Sequence, residues 1–338
     1  MPVNTSRTTY REHTDTENIL KLRQVLSTLP AFCKDYFRAI DSTTTTKTRI
    51  SYAYDIRIFF QFLLDENPAF KNYAMTDFSV AVLDQIKAVD LEEYMEYLKV
   101  YQNGDKTETN GERGLKRKIS ALRSFYAYYY KREMIHTNPT VLIDVPKIHD
   151  KSIIRLDTDE VALLLDYIEH CGDSLTGQKR VYYEKTKERD LAIVTLLLGT
   201  GIRVSECVGL DIEDVDFKNN GIKVTRKGGN EMVVYFGEEV EKALKRYLEI
   251  REGITPLAGH EHALFYSAQR KRMGVQAVEN MVKKYSRQIT TTKKITPHKL
   301  RSTYGTALYQ ETGDIYLVAD VLGHKDVNTT KKHYAAID

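Results

Sequence analysis

The chain has no tryptophan, only three cysteines and almost no net charge, and each shortage excludes something. Cys33, Cys171 and Cys207 stand far apart without a CxxC pair. The sequence therefore carries neither a disulfide framework nor a cysteine zinc site, and its cysteine usage fits a reducing cytoplasm. Fifty Lys and Arg oppose 47 Asp and Glu, a balance of +3, so any surface for a polyanion has to be local. The longest apolar run, Leu191 to Leu198, ends at Gly199, far short of the roughly 20 residues that cross a bilayer, and reads as a buried helix. Met1 to Thr16 is polar and mixed in charge, without the apolar stretch of a secretory signal, so neither membrane nor export is expected.

What is present is a globular composition, 42% hydrophobic and 29% charged over 338 residues, long enough for two domains with a core each. The 23 tyrosines fall mostly at helical spacing, which predicts amphipathic packing. Ile19, Leu22, Val25 and Leu26 mark a helix within 17–40 that breaks at Pro30 and resumes with Phe32, Tyr36 and Phe37. The run Ser42 to Thr46 offers N-caps for a helix from Tyr52 to Leu64, whose Tyr52, Ile56, Phe59, Phe60 and Leu63 form one stripe. Helical patterns recur at 90–101 and 115–133, and residues 102–112 read as a mobile loop.

From Asn138 to Lys151 the chain is extended and proline-punctuated, which places a domain boundary near residue 150. Asp157 or Thr158 then caps a helix facing Val161, Leu164, Leu165 and Ile168 inward, and a polar loop precedes the buried helix from Arg189. Ile222 to Thr225 and Met232 to Phe236 alternate as strands around a glycine turn. Residues 238–251, 274–289, 297–311 and 314–322 return to helix. The expected fold class is mainly α with a small antiparallel β-sheet, in two domains, 1–150 and 151–338.

Arg203 follows Gly199-Thr200-Gly201, where one helix stops at a glycine and the next begins. Glu206 is placed to pair with it, and a structural ion pair explains this stretch on its own. Lys227 lies in the glycine turn between the strands. A solvated turn lysine is the ordinary reading there, although a flexible ammonium can also protonate a departing oxygen. Thr296-Pro297-His298 opens a helix on which His298 and Arg301 share a face near the N-terminus, a place that attracts anions. Taken alone, a His-x-x-Arg is common, and a surface pair is the readier account of it. Leu322-Gly323-His324 ends a helix, and Tyr334 follows a Thr-rich turn. Together, two arginines, two histidines and a lysine can neutralise a pentacoordinate phosphate and move protons while a tyrosine hydroxyl attacks phosphorus, so the set reads as equipment for breaking a phosphodiester. No carboxylate cluster for a metal accompanies it.

The ordered set Arg203, Lys227, His298-x-x-Arg301, Gly323-His324 and Tyr334 resembles the tyrosine recombinase, or phage integrase, family across residues 153–338. The resemblance implies that Arg203 and Arg301 grip the non-bridging phosphate oxygens, that Tyr334 is the nucleophile and that Lys227 is the general acid. It implies that His298 handles the tyrosine proton, that His324 hydrogen-bonds the phosphate or the nucleophile, and that Glu206 positions Arg203. It further implies a site-specific DNA recombinase working through a 3′-phosphotyrosyl intermediate, with no cofactor consumed and no metal, acting on double-stranded DNA as a homotetramer on two sites.

The first domain is similar to the family's helical core-binding domain, which implies a clamp around duplex DNA. Arg113, Lys116, Arg117 and Lys118 crowd the start of a helix and suggest a basic edge set against phosphates; a solvated face is the other account. Lys283-Lys284, Lys293-Lys294 and Arg270-Lys271-Arg272 are expected on the same DNA side. Two departures stand out. Ten residues rather than nine separate His324 from Tyr334, leaving Tyr316 as a distant rival nucleophile, and the tail Ala335 to Asp338 is far shorter than the C-terminal helix that Xer-type relatives lend to a neighbour. The residue set also fits a type IB topoisomerase-like relaxing enzyme, and a catalytically silent DNA-binding regulator would keep the fold. The N-terminal lead is loosely similar to Xer-like single recombinases, so chromosome-dimer resolution and mobile-element integration or excision both stay open, as do target site and accessory proteins.

Overall fold

The computed structural model describes residues 9–149, 153–226, 229–324 and 327–334. The chain divides into two compact units, Met1–Asp150 and Lys151–Asp338. In the first, α1 (Tyr10–Leu26), α2 (Cys33–Ala39), α3 (Thr46–Glu66), α4 (Ala88–Tyr97) and α5 (Glu112–Lys131) contribute to one core. α1 begins earlier than its apolar pattern suggests because Thr9 and Glu12 cap each other. The Thr9 N–H donates to Glu12 Oε2 at 2.7 Å, and the Glu12 N–H donates to Thr9 Oγ1 at 3.3 Å. Thr45, inside the expected Ser-Thr run, accepts from the Thr48 N–H at 3.2 Å and starts α3.

Phe32, Tyr36, Phe60 and Phe125 meet edge to face, each pair adding roughly 0.5–1.5 kcal/mol beyond the area it buries. Core tyrosines hide their rings and satisfy their hydroxyls. Tyr129 donates to the Phe32 carbonyl at 2.7 Å, and Tyr36 to Ser124 Oγ at 2.9 Å.

The segment expected as a loop at 102–112 is instead largely a hairpin, β1 (Val100–Asn103) and β2 (Lys106–Thr109), with Asn103 opposite Lys106 and Gly104 at φ +62° in its turn. Most of its side chains face solvent, so no apolar alternation announces it. On α5, Arg113, Lys116 and Arg117 are exposed, but Lys118 departs from the expected basic edge. Its side chain is 6% exposed and its Nζ lies 3.2 Å from Asp55 Oδ1, while Arg117 pairs with the other oxygen of that carboxylate. Burial pushes the Asp55 carboxyl up, against the pull of both cations.

The second unit contains α6 (Thr158–His170), α7 (Gly177–Thr200), α8 (Val204–Gly209) and α9 (Glu238–Glu252). A three-stranded antiparallel sheet, β3 (Val215–Asp216), β4 (Gly221–Thr225) and β5 (Glu231–Tyr235), pairs in that order. Then come α10 (Val275–Ile289), α11 (Pro297–Thr312), α12 (Ile315–Leu322) and α13 (Val327–Tyr334). α7 starts at Gly177 rather than Arg189, because the charged stretch before Arg189 is made of good helix formers that lack an apolar stripe. Tyr183 anchors it, its hydroxyl donating to the Glu169 carbonyl at 2.6 Å. The buried half of α7, Leu191 to Leu197, packs against α6, α9 and α11.

Two cations expected to face DNA are committed inside this unit. Lys293 pairs with Glu160 at 2.6 Å and Asp157 at 3.0 Å across the start of α6. Arg272 donates to the Val208 and Leu210 carbonyls at 3.0 and 2.7 Å and pairs with Asp211. Among the described residues, no helix is long and apolar enough to cross a membrane.

Candidate active site

α7 ends at Gly201 with φ +62°, a left-handed turn that glycine adopts without penalty. A Cβ there would lie 2.3 Å from Tyr304 Cδ1 and 2.9 Å from Leu322 Cδ2, so the close approach of α11 and α12 also requires glycine. Arg203 then caps α8 in extended conformation. Glu206 reaches back to accept the Arg203 N–H and its guanidinium, both at 2.8 Å. The Glu206 side chain is 4% exposed and that of Arg203 is 35% exposed. The carboxylate is thus buried and paired, while the guanidinium keeps an open edge.

The end of α12 organises the remaining charges. A helix leaves its last carbonyls without intrahelical donors, and here each one has a partner. Gly323, at φ +62°, closes a Schellman turn, in which the His324 N–H donates to the Ala319 carbonyl and the Gly323 N–H to that of Asp320, both at 2.9 Å. Beyond it, the Val321 carbonyl accepts from Arg226 at 2.5 Å, that of Leu322 from Arg301, and that of Gly323 from Arg203 at 3.4 Å. Three guanidiniums from three separate elements therefore gather at the negative end of one helix dipole.

α11 starts with Thr296 as N-cap and Pro297 in its first turn. His298 is exposed in that turn, and its carbonyl accepts the Ser302 hydroxyl at 3.1 Å. Arg301 is 4% exposed and also donates to the Gly201 carbonyl. Burial first, and the charge of Arg203 second, push its guanidinium down to about 10, with Glu206 and Tyr334 opposing. It remains charged at neutral pH. Two neighbouring cations in a partly desolvated place repel each other, and an anion bound between them would remove that cost.

Tyr334 packs against α11 one helical turn beyond Arg301. A Cβ on Gly305 would sit 2.7 Å from Tyr334 Cζ and 2.8 Å from its hydroxyl oxygen. Burial raises the phenol pKa, while Arg301 and a hydrogen bond with Ser302 pull it down. Tyr334 is 4% exposed, whereas Tyr316, the rival on α12, is 71% exposed. His324 Nδ1 lies 2.7 Å from Thr330 Oγ1, tying the end of α12 to the helix that carries Tyr334.

The structure thus brings together Arg203, Glu206, Arg301, His324 and Tyr334. Lys227 and the tail from Ala335 to Asp338 lie outside the described residues. Sequence reasoning missed Ser302, Gly305 and Arg226. A lone glycine inside a helical pattern was a readable signal for Gly305; an arginine at a strand end carries none. Chemically, the arrangement can bind an oxyanion between guanidiniums beside a hydroxyl nucleophile.

Residues 155–338 match the model of the phage integrase family. The chain is 33% identical over 305 residues to tyrosine recombinase XerC of Caldanaerobacter subterraneus subsp. tengcongensis, covering 88% of this chain and 80% of that protein. It is 30% identical over 340 residues to tyrosine recombinase XerS of Lactococcus lactis subsp. cremoris, covering 93% of each. Its fold is similar to that of XerH recombinase bound to a palindromic difH substrate in a post-cleavage complex, with TM-score 0.64, 20% identity, and coverage of 97% of this chain and 87% of that one. The chain belongs to the phage integrase family, the tyrosine-type site-specific recombinases.

Proposed function

We propose that this recombinase cuts and rejoins double-stranded DNA through a 3′-phosphotyrosyl intermediate on Tyr334. The observation that carries the reading is the convergence of Arg203 and Arg301 on the adjacent carbonyls of Gly323 and Leu322, where α12 ends, with the Tyr334 hydroxyl under the influence of Arg301. In this reading both guanidiniums hold the non-bridging oxygens, and Glu206 orients Arg203. The Tyr334 oxygen attacks phosphorus and the bond to the 5′-oxygen breaks. His298 takes the tyrosine proton, Lys227 gives a proton to the departing oxygen, and His324 hydrogen-bonds the phosphate or the nucleophile. A 5′-hydroxyl of the partner strand then displaces the tyrosine. The phosphodiester energy stays in the covalent link, so no nucleotide is consumed.

Residues 151–338 act as the catalytic domain in this proposal, and residues 1–150 as a helical core-binding domain that sets Arg113, Lys116 and Arg117 against phosphates. A homotetramer on two sites, working in the cytoplasm, completes the picture. The long matches to proteins named tyrosine recombinases support strand exchange over simple relaxation of one strand.

The test is covalent trapping. Wild type and Tyr334→Phe are incubated with nicked duplexes from the gene's flanking DNA and from the chromosomal terminus, and the products run on a denaturing gel. A shifted band only in wild type is expected, on flanking DNA for a mobile element or on terminus DNA for dimer resolution. Equal adduct in the Phe variant would remove Tyr334 from its role, and no adduct on any DNA would leave a silent binding module.

A further inference from the structure

We infer that Ser302 is a positioning residue for the nucleophile: one turn before Gly305 on α11, its hydroxyl fixes the Tyr334 oxygen beside Arg301 and offers a hydrogen to that oxygen as it becomes negative. This rests on the reading of Tyr334 as the attacking group.

Tyr334 lies in an apolar patch with Val318 and Leu322. Apolar burial has no direction, so the patch holds the ring without aiming its oxygen. The ring crosses α11 at Gly305, where Cζ, Cε1 and the hydroxyl oxygen lie 2.7, 2.9 and 2.8 Å from the place a Cβ would take. It is therefore the hydroxyl end of the ring that rests on the bare backbone. Ser302 stands three residues earlier on the same face of the helix, is buried and shares a hydrogen bond with the phenol. Its own rotamer is held, because its hydroxyl donates to the His298 carbonyl at 3.1 Å.

The hydrogen count makes this contact useful to a nucleophile. A serine hydroxyl has one hydrogen and two lone pairs. With that hydrogen on the His298 carbonyl, the neutral phenol donates its own to Ser302 Oγ. Once the phenol proton leaves, the serine hydrogen can turn from the carbonyl to the phenolate, and a bond to an ionised oxygen is roughly twice as strong as a neutral one. The same two oxygens thus stay in contact before and after ionisation. The bond favours the charged form, in keeping with its downward pull on the phenol, and Arg301 pulls the same way. Aim matters because a misplacement of about 1 Å can cost roughly 10²-fold in rate.

Two measurements test this. On the nicked duplex that gives adduct with the unsubstituted protein, Ser302→Ala is expected to slow single-turnover adduct formation about 10–100-fold at saturating DNA, with affinity changed less than about threefold. Ser302→Thr keeps a hydroxyl on the same carbon and should recover most of the rate. The second measurement is a double-mutant cycle in denaturant. Ser302→Ala should lower the unfolding midpoint less in the Tyr334→Phe background than in the unsubstituted protein, because Phe has already removed the shared bond. The lost bond to the His298 carbonyl is common to both backgrounds and cancels. Ser302→Cys, whose thiol is a weak donor, supplies both comparisons if the Ala variant does not fold. Additive midpoint shifts, an unslowed Ala variant, a Thr variant as slow as Ala, or affinity falling in step with rate overturns the proposal. If Tyr334→Phe still forms adduct, the nucleophile reading fails and the proposal falls with it. If Tyr334→Phe forms none and the midpoint shifts are additive, only the role of Ser302 is overturned.

Discussion

Glu206→Gln keeps the shape of the Arg203 anchor and removes its charge. The carboxylate accepts two hydrogen bonds of 2.8 Å from Arg203, and it also offsets the positive charge felt at Arg226 and Arg301. Two opposite charges about 4 Å apart attract by about 4 kcal/mol at an effective dielectric of 20. The Arg203 side chain is 35% exposed, so water recovers much of that, and the measurable loss of stability should be about 1–3 kcal/mol. Adduct formation should slow about 10–100-fold as Arg203 loses its fixed orientation. DNA affinity should hold or rise, since a negative charge has left a cationic cluster. Denaturant titration, single-turnover cleavage and a binding isotherm at fixed salt read the three quantities. Wild-type cleavage by Glu206→Gln, or affinity falling in step with cleavage, would refute the reasoning. Glu206→Ala should destabilise further, by about 3 kcal/mol, because Arg203 then loses its carboxylate partner and keeps only the Gly323 carbonyl.

Gly201→Ala places a side chain at φ +62° and 2.3 Å from Tyr304; a loss of at least about 1–2 kcal/mol is expected in denaturant unfolding, and an unchanged midpoint counts against the turn geometry. Asp55→Ala strands a buried Lys118 and leaves Arg117 without its partner, which should cost about 3–5 kcal/mol, read as a lower melting temperature. The Tyr334 phenol has its pKa raised by burial, so the fold favours its neutral form. That contribution is present below the unfolded value of about 10 and disappears as pH rises through the folded value. A difference titration of wild type minus Tyr334→Phe should show one phenol ionising above pH about 10, and an inflection below it would contradict the burial argument. Arg113→Ala and Lys116→Ala should each lower the slope of log affinity against log salt by about 1 if they contact phosphates, whereas unchanged slopes mark them as solvated.

By itself the sequence determined what neighbours within one or two helical turns can settle. Thr45 as a cap, the Phe59–Phe60 stripe, the glycine ending α7 and the Arg203–Glu206 pair all depend on spacings of a few residues, which propensity and periodicity report. The order of Arg203, His298-x-x-Arg301, Gly323-His324 and Tyr334 likewise marked the family without coordinates. Legibility failed where side chains carry no pattern: the exposed β1–β2 hairpin lacks apolar alternation, and the first half of α7 is charged around its circumference. Only the tertiary structure decided which cations are available. Lys118 and Lys293 look like their exposed neighbours in the sequence, yet Asp55 and Glu160 claim them. The same holds at the centre of the site, where Arg203, Arg226 and Arg301 share the carbonyls that end α12. A backbone carbonyl is chemically the same at every position in the sequence, and which one an arginine meets is fixed when helices distant along the chain pack together.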